Sequence, residues 1–334
     1  MATMRDVARL AGVSVSTVSL CLTNSGPVGA ETRARVEAAA RDLNYHTGPV
    51  EHGAKRGRSR LIGILLGDVY NPFFGRMLDR VDAAVSAVDH MLIVSMTGID
   101  KEREIRALDQ LRRYRPAGVL MAPLRNNAAL QRRLRTLDMP AVLVDQNVDD
   151  VRLDYVGSDN TLATRMLTEY LARMGHRRIC YLGGRLDLSN SVLRRQGFRD
   201  GLAATGVPEA ETMEITADYS ADQAYAQTMR VMTMTRRPTA ILAASNMMAI
   251  GALQAINDLG FNCPRDVSLC GVDEVPWGGV IQPRITTVAQ PVDELADIAA
   301  AWLLERIIGR GGPPRQHIAV PKLILGSSCQ PPSS

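Results

Sequence analysis

The hydrophobic pattern of the first 45 residues is helical. Three blocks repeat apolar residues at helical spacing, at Val7–Ala11, Val18–Leu22 and Val36–Leu43. Thr3 and Ser14 stand where the N-caps of the first two helices are expected, and Gly12 suits a turn that needs positive φ. The pattern therefore predicts three short helices.

After Arg60 the pattern changes to short apolar runs separated by amphipathic stretches. Strands are predicted at Leu61–Leu66, Met91–Ser95, Gly118–Ala122, Ala141–Val144, Ile179–Leu182, Ala240–Ala243 and Val267–Cys270. Helices are predicted at Phe74–Ala87, Lys101–Arg113, Asn160–Met174 and Met247–Leu259. Repeated β-α-β units indicate parallel sheets covered by helices. Because residues 61–334 are many for one such sheet, we expect two doubly wound lobes with a cleft between them.

The segment between these two parts is rich in glycine and basic residues, and Val50 is its only large apolar residue. We therefore predict an all-α domain of residues 1–46, a linker of residues 47–60, and an α/β domain of residues 61–334.

Charge and composition narrow the function classes. Residues 1–60 hold nine basic and five acidic residues, so the whole net charge of +4 lies there, where a polyanion would bind. The five cysteines are scattered without metal-ligand spacing, which predicts neither a disulfide framework nor a zinc site and suits a reducing cytoplasm. No signal peptide or membrane-length apolar run is present, and we expect a cytoplasmic protein without a cofactor.

The segment from Asp6 to Ser19 carries the strongest chemical signal. A helix, a glycine turn and a capped helix with small polar residues outward is how a recognition helix is presented to the DNA major groove. Serine and threonine hydroxyls can bond to phosphates or base edges. From the pattern alone, a helical hairpin packed on the larger domain remains an alternative.

These residues resemble the LacI/GalR family of transcriptional repressors. The similarity lies in Asp6-Val7-Ala8, Ala11-Gly12-Val13-Ser14, Thr17-Val18-Ser19, Thr32-Arg33, Leu43-Asn44-Tyr45, Asn71-Pro72-Phe73-Phe74, Gly175-His176-Arg177, Arg194, Gly197-Phe198, Asn246, Gly271, Asp273 and Thr286-Thr287-Val288. The resemblance implies a repressor with a periplasmic-binding-protein-like effector domain, acting as a homodimer on an approximately palindromic operator. Residues 327–334 include two prolines and no leucine heptads, so we expect a dimer and not a tetramer.

The resemblance also implies the DNA contacts. They fall on Thr3, Ser14, Val15, Ser16, Thr17, Ser19, Leu20, Asn24, Thr32, Arg33, Tyr45, Ala54, Lys55 and Arg56. Leu20 stands where the family commonly has an arginine, and a leucine cannot read guanine bidentately, so the operator sequence does not transfer. In the family the linker forms a hinge helix on DNA and a leucine wedges into the minor groove. Ala54 occupies the matching position, unless Val50 takes over the wedge through a shifted hinge.

Polar residues follow the predicted strands where an α/β sheet binds its ligands. They are Asp68, Asp145, Asn246 and Asp273. The resemblance adds Arg194 as a ligand-binding arginine, with Tyr219, Phe73 and its neighbour Phe74 as aromatic contacts. This set suits a sugar, a nucleoside or a similar small polar metabolite.

Each of these residues also has a structural interpretation. A strand-end aspartate often caps the next helix, which we favour for Asp68 and Asp145, and Arg194 could be a solvated surface charge beside Arg195. Met247 stands where the family commonly has an aspartate and Ala224 where it has a glycine, so the identity of the ligand does not transfer.

Two other function classes also occur on doubly wound sheets. An enzyme is disfavoured because the chain has no dinucleotide fingerprint, P-loop, nucleophile elbow or metal-ligand spacing. A solute-binding protein without DNA function shares the two-lobed architecture, but the basic N-terminal segment argues against it. An activator or an effector-independent regulator of the same family remains open.

Overall fold

The computed structural model describes residues 3–22, 26–43, 45, 59–98, 100–124, 127–275 and 278–332. The chain divides into two compact units, Met1–Ser59 and Arg60–Ser334. No helix in these described ranges is both long and apolar enough to cross a bilayer.

The described residues of the first unit form a cluster of three helices. Its helices are α1 (Met4–Ala11), α2 (Val15–Leu22) and α3 (Ala30–Asp42). Thr3 forms a capping box with Asp6, and Gly12 ends α1 in the left-handed conformation at φ 65°. The Ser14 hydroxyl caps α2 by accepting the Thr17 N–H at 3.0 Å. Val7, Val18 and Val36 are fully buried where the three helices meet, so the predicted apolar stripes form one small core.

The second unit contains two sheets. Their strands are β1 (Leu61–Leu66), β2 (Met91–Met96), β3 (Gly118–Met121), β4 (Ala141–Val144), β5 (Asp154–Ser158), β6 (Ile179–Gly183), β7 (Met213–Thr216), β8 (Ala240–Ala243), β9 (Ser268–Val272), β10 (Thr286–Ala289), β11 (Gln316–Ala319) and β12 (Lys322–Ile324). The strand orders are β11-β5-β4-β3-β1-β2 and β12-β10-β9-β8-β6-β7. All pairs are parallel except β10 with β12. The prediction of two doubly wound lobes is confirmed.

Helices cover the two sheets. They are α4 (Pro72–Ser86), α5 (Lys101–Arg113), α6 (Ala128–Arg135), α7 (Asn160–Arg173), α8 (Ser189–Thr205), α9 (Ala221–Met232), α10 (Asn246–Asp258) and α11 (Val292–Ile307). The chain crosses between the lobes after β5, after β10 and after β11, because α11 packs on α4 and β4 of the first lobe. The central strands β1, β3, β4 and β8 are buried on both faces, as their continuous Val, Ile and Leu runs require.

Candidate functional site

A cavity of about 630 Å³ lies between the two lobes of the second unit. It is lined by residues that follow the carboxyl ends of strands in both sheets, among them Asp68, Asp145, Asp218, Asp273 and Gln290. Open α/β sheets bind ligands at this edge because loops and helix N-termini converge there. The cavity therefore lies where the strand-end residues were expected to gather.

Arg194 is the central cation of the cavity. Its side chain is buried, with 2% of the residue exposed, which excludes a solvated surface charge. Its Nε donates to Asn160 Oδ1 at 2.6 Å, and its Nη1 donates to the Ala244 carbonyl at 2.5 Å. Asp273 Oδ2 lies 4.0 Å from its Nη2. The guanidinium is thus held in a fixed position by two elements of the second lobe.

Two buried carboxylates face this guanidinium. Asp145 Oδ2 accepts from Asn190 Nδ2 at 3.3 Å, and Asp273 Oδ1 accepts from Gln290 Nε2 at 2.7 Å. Burial raises the pKa of Asp145 to about 6 although Arg194 opposes the shift, and burial also raises the pKa of Asp273. Both residues have positive φ, a backbone conformation that tight strand-end turns impose.

Tyr219 forms part of the wall. Its hydroxyl accepts from Ser191 Oγ at 2.9 Å and donates to Asn190 Oδ1 at 3.1 Å. The Arg194 guanidinium carbon lies 5.7 Å from the centre of its ring. Because both hydroxyl contacts come from the first turn of α8, the ring is fixed beside the arginine.

Sequence reasoning missed the side-chain amides that line the cavity. Five are among the described lining residues: Asn71, Gln146, Asn190, Gln223 and Gln290. Gln146 Oε1 accepts from Ser189 Oγ at 2.7 Å and from the Asn190 N–H at 3.2 Å, which ties the first lobe to α8 of the second. Asn190 lies four residues before Arg194, one helical turn away. That spacing was the available signal for it.

The first lobe contributes an apolar wall. Phe73 and Phe74 line the cavity from the first turn of α4, with their rings edge to face at 5.1 Å. Asp68 also lines the cavity, but it is exposed and its Oδ1 accepts the Tyr70 N–H at 2.8 Å, as a turn residue does. The expectation that Asp68 caps the next helix needs correction, because Asn71 is the N-cap of α4.

Asn246 lies between two residues that line the cavity but is not itself part of the lining. Only 1% of the residue is exposed. Its Nδ2 donates to Asn71 Oδ1 at 3.3 Å and to the Glu274 carbonyl at 3.2 Å, so it bridges the two lobes. Its neighbours Ser245 and Met247 line the cavity instead.

In the first unit, α2 has an exposed face that includes residues expected to contact DNA. Val15 and Leu20 are exposed on it, with 42% and 39% of each residue accessible, and Ser16 is exposed beside them. Ser19 is half-buried on the same helix. The DNA major groove is wide enough to admit an α-helix, and side chains on the exposed face of such a helix can then reach base edges.

Other residues expected at the DNA have structural partners. Ser14 and Thr17 hydroxyls bond to each other at 2.8 Å, and Thr3 is engaged in its capping box. Arg33 Nη1 donates to the Cys21 carbonyl at 3.0 Å, while Thr32 beside it is half-buried. Tyr45 packs on the helical core. Asn24, Ala54, Lys55 and Arg56 lie outside the described residues.

Comparison with known proteins gives matches over both units. Residues 3–48 match the model of bacterial regulatory proteins of the lacI family, and residues 168–329 match a periplasmic binding protein-like domain. The ribose operon repressor of Escherichia coli strain K12 is 30% identical over 308 residues, covering 92% of this chain and 93% of that protein. The transcriptional repressor PurR of Vibrio atlanticus is 31% identical over 308 residues, covering 92% of each.

Solved structures agree over nearly the full length. The lac repressor dimer bound to operator and the anti-inducer ONPF aligns with a TM-score of 0.75 at 26% identity, covering 98% of this chain and 99% of that one. The complex of the regulator CelR with cellobiose has a TM-score of 0.75 at 26% identity, covering 98% and 100%. Both alignments include the small helical unit and the two-lobed unit.

Proposed function

The chain belongs to the LacI family of bacterial regulatory proteins, and we propose that it is a homodimeric repressor whose operator affinity is controlled by a small hydroxyl-rich metabolite. The similar proteins are transcription regulators, and we propose no catalytic step for the cavity. In this proposal the first unit binds DNA and the second unit binds the metabolite.

The DNA-binding proposal rests on α2. Its exposed face carries Val15, Ser16 and Leu20, and its N-cap Ser14 fixes where the helix begins. Two such helices in a dimer would read two half-sites of a palindrome. None of these three side chains carries a cation, so we expect the phosphate contacts to come from elsewhere in the basic N-terminal segment.

One observation carries the effector proposal. Arg194, Asp145, Asp273 and Asn190 line one cavity between the lobes, and together they offer both hydrogen-bond donors and acceptors. Hydroxyl groups both donate and accept, so a polyol can pair with every member of this set. A ligand bound between two lobes favours the closed arrangement in which it touches both, and this changes the geometry that a dimer presents to DNA.

Two substitutions test the two halves of the proposal separately. Ser16→Glu places a carboxylate on the exposed face of α2, so we expect at least a tenfold loss of affinity for the chain's own upstream DNA in a gel-shift assay. Asp273→Asn removes a charge from the cavity and retains an oxygen for Gln290. It should leave DNA affinity intact and abolish the melting shift produced by an active sugar or nucleoside.

The controls are reciprocal. Ser16→Glu should keep the ligand-induced melting shift, and Asp273→Asn should keep operator binding. Wild-type protein that binds no upstream fragment would contradict the repressor proposal. An intact DNA response that no sugar or nucleoside alters would instead favour an effector-independent regulator, and increased transcription from the bound promoter would favour an activator.

A further inference from the structure

We propose that Cys329 and Cys270 form a redox-active dithiol, in which a hydroperoxide oxidises Cys329 and Cys270 then closes a disulfide within the second lobe. Neither thiol is among the described residues that line the cavity between the lobes. The modification site is therefore separate from the proposed effector site, and it goes beyond the proposed function.

The segment of residues 326–330 lies against β9 and the start of β10. The Leu269 N–H donates to the Ser328 carbonyl at 2.9 Å, and the Thr286 N–H donates to the Ser328 hydroxyl at 2.8 Å. Ser328 itself is fully buried. Hydrogen bonds to both strands thus hold this segment, and the side chain that follows Ser328, in a fixed position.

Three thiols gather at this segment, and all three are free. Cys329 Sγ donates to the Leu269 carbonyl at 3.2 Å, and Leu269 directly precedes Cys270 on β9. A side-chain hydrogen bond joins the thiols of Cys270 and Cys329. Cys263 Sγ donates to the Ser328 carbonyl at 3.5 Å. Cys270 and Cys329 are therefore neighbours in space although they are far apart in the sequence.

The surroundings give the two thiols of the pair different reactivities. The hydrogen bond with Cys270 lowers the pKa of Cys329, and the hydroxyls of Ser328 and Thr286 act in the same direction while burial opposes them. Burial and the hydrogen bond with Cys329 raise the pKa of Cys270. The thiolate is the nucleophilic form of cysteine. Cys329 is therefore the thiol that reacts first, and Cys270 supplies the second sulfur.

Exposure orders the two thiols in the same way. Cys329 is half-buried, whereas Cys270 is fully buried in β9. A molecule as small as hydrogen peroxide can reach the sulfur of Cys329. Redox-sensing cysteines combine thiolate character and access with a second thiol close by, which converts the first oxidation product to a disulfide. In a reducing compartment such a disulfide is transient and forms when peroxide rises.

The chemistry balances in two steps. The Cys329 thiolate attacks one oxygen of the hydroperoxide, so that an S–O bond forms, the O–O bond breaks, and the leaving oxygen takes a proton to give water or an alcohol. The Cys270 sulfur then attacks the sulfenic acid, so that the S–S bond forms, the S–O bond breaks, and the hydroxide leaves as water with the Cys270 thiol proton. Two thiols thereby give two electrons to one peroxide, and a dithiol reverses the reaction by exchange.

The disulfide would fasten residues 326–330 covalently to β9. A cross-link between Cys270 and Cys329 closes a long loop, and such loops stabilise mainly by restricting the unfolded chain. We expect the oxidised protein to melt about 5 °C higher than the reduced protein, and dithiothreitol to remove the difference. Equal melting of the two forms would overturn this consequence.

Peptide mapping of the full chain tests the pair directly. Reduced protein is treated with a few equivalents of hydrogen peroxide, the remaining thiols are blocked with N-ethylmaleimide, and the protein is digested with trypsin. Cys270 then lies in the peptide of residues 266–284, Cys329 in the peptide of residues 323–334, and Cys263 in another. We expect a species with the mass of the first two peptides less two hydrogen atoms, which dithiothreitol separates.

Three variants assign the roles. Cys329→Ser keeps a hydroxyl for the Leu269 carbonyl and should form neither a disulfide nor a sulfenic acid on Cys270. Cys270→Ala should leave the sulfenic acid on Cys329, where dimedone labels it. Cys263→Ser is the matched control, because that thiol also contacts residues 326–330, and it should keep the cross-link. Unchanged melting of the reduced variants checks their folding, and the wild-type mapping does not depend on them.

Four results would each overturn the inference. They are peroxide treatment that leaves both thiols free, a link from Cys329 to Cys263, a disulfide between two chains on a non-reducing gel, and a sulfenic acid that persists on Cys329 in the wild-type protein. The last result would show that Cys270 does not resolve the oxidised sulfur. A cross-link that survives in Cys329→Ser would also contradict the assignment.

Discussion

Asp145 makes the stability of the two-lobed unit depend on pH. Its folded pKa of about 6 lies above the ordinary value of 3.8, so the folded state holds this proton more tightly than the unfolded chain does. Stability from this residue is therefore greatest below the unfolded pKa and is lost as pH rises through about 6. The loss is about 3 kcal/mol, because each unit of difference between the folded and unfolded pKa corresponds to about 1.4 kcal/mol.

Asp145→Asn tests this directly. The amide keeps an oxygen for Asn190 and carries no charge, so we expect the variant to lose less stability than wild type between pH 4.5 and pH 7.5. Urea unfolding at both pH values measures the difference. Glu104 is fully buried with a pKa of about 7 and adds a slope of the same sign, but it is unchanged in both proteins. Parallel pH profiles for the two proteins would contradict the assignment to Asp145.

Arg194 also stabilises the folded unit, which was not predicted from the sequence. Removing its guanidinium leaves Asn160 Oδ1 and the Ala244 carbonyl without their donor and leaves Asp273 as a buried charge without its nearest cation. We predict that Arg194→Ala destabilises the unit without ligand by about 3 kcal/mol, because breaking one side of a buried pair strands the other.

The neighbouring arginine provides the control for that substitution. Arg195 pairs with Glu214 at the surface, where Arg199 also holds the same carboxylate. Arg195→Ala should therefore cost under about 1 kcal/mol, as exposed pairs do. Urea denaturation of both variants gives the two changes in the free energy of unfolding. Equal effects would show that burial does not set the contribution of Arg194.

A site residue could be predicted from the sequence where a short motif marks it, and not where its contacts join distant segments of the chain. Arg194 and Asp273 were expected from motifs, and both lie at the cavity. Gln146 was missed because its contacts with Ser189 and Asn190 join segments more than forty residues apart, which no spacing rule reveals. Asn246 was expected at the ligand, and at the start of α10 its neighbour Met247 lines the cavity, because successive residues of a helix point in different directions.

At the scale of elements, close helix packing depends on particular glycines. A Cβ on Gly197 of α8 would lie 2.0 Å from the Thr161 carbonyl oxygen of α7, and one on Gly251 of α10 would lie 2.0 Å from the Ala221 carbonyl oxygen of α9. Both contacts are with backbone and cannot be relieved by a side-chain rotation. The two helix pairs of the second lobe therefore approach as only glycine permits.

We predict opposite effects for two glycine-to-alanine changes in helices. Gly197→Ala should destabilise the unit by about 3 kcal/mol, because the helices must separate. Gly75→Ala in α4 should stabilise it by up to about 1 kcal/mol, since the nearest atom to its added Cβ is 4.0 Å away. Chemical unfolding of each variant measures whether its free energy of unfolding rises or falls. A stabilising Gly197→Ala would show that this interface can relax.

The helices and strands predicted with the correct bounds have a regular pattern of burial along their length. β1, β4, β8 and α5 have the predicted bounds, because central strands are buried on both faces and α5 has a regular amphipathic repeat. β7 was missed, since it lies at a sheet edge and its residues are only half-buried or exposed. β11 was missed because its position depends on the late return of the chain to the first lobe, which is a property of topology and not of local pattern.

At the scale of the whole molecule, the linker is the covalent connection between the unit proposed to read DNA and the lobes proposed to bind the ligand. The chain crosses between the lobes three times in the described second unit, so a ligand that closes the cavity acts on both lobes together. The first unit is joined to the first lobe before β1 begins at Leu61. We therefore expect substitutions in the linker to change how ligand binding affects DNA binding.

The linker sequence predicts weak kinking of the operator. Ala54 stands where the family has a wedging leucine, and a methyl group is too short to fill an unstacked base step whose opening costs a few kcal/mol. Gly53 further disfavours a helix here by about 1 kcal/mol relative to alanine. Lys55, Arg56 and Arg58 can still neutralise phosphates, so we expect affinity to fall steeply with salt.

Ala54→Leu should restore the wedge. We predict about tenfold tighter binding to a palindrome with a flexible pyrimidine–purine step at its centre, and a smaller gain on one with a stiff centre, because kinking costs more there. Fluorescence anisotropy gives the affinities and gel phasing gives the bend. A sharp central kink with wild-type protein, or no gain from the leucine, would mean that Val50 or another residue supplies the wedge and that Ala54 does not limit the kink.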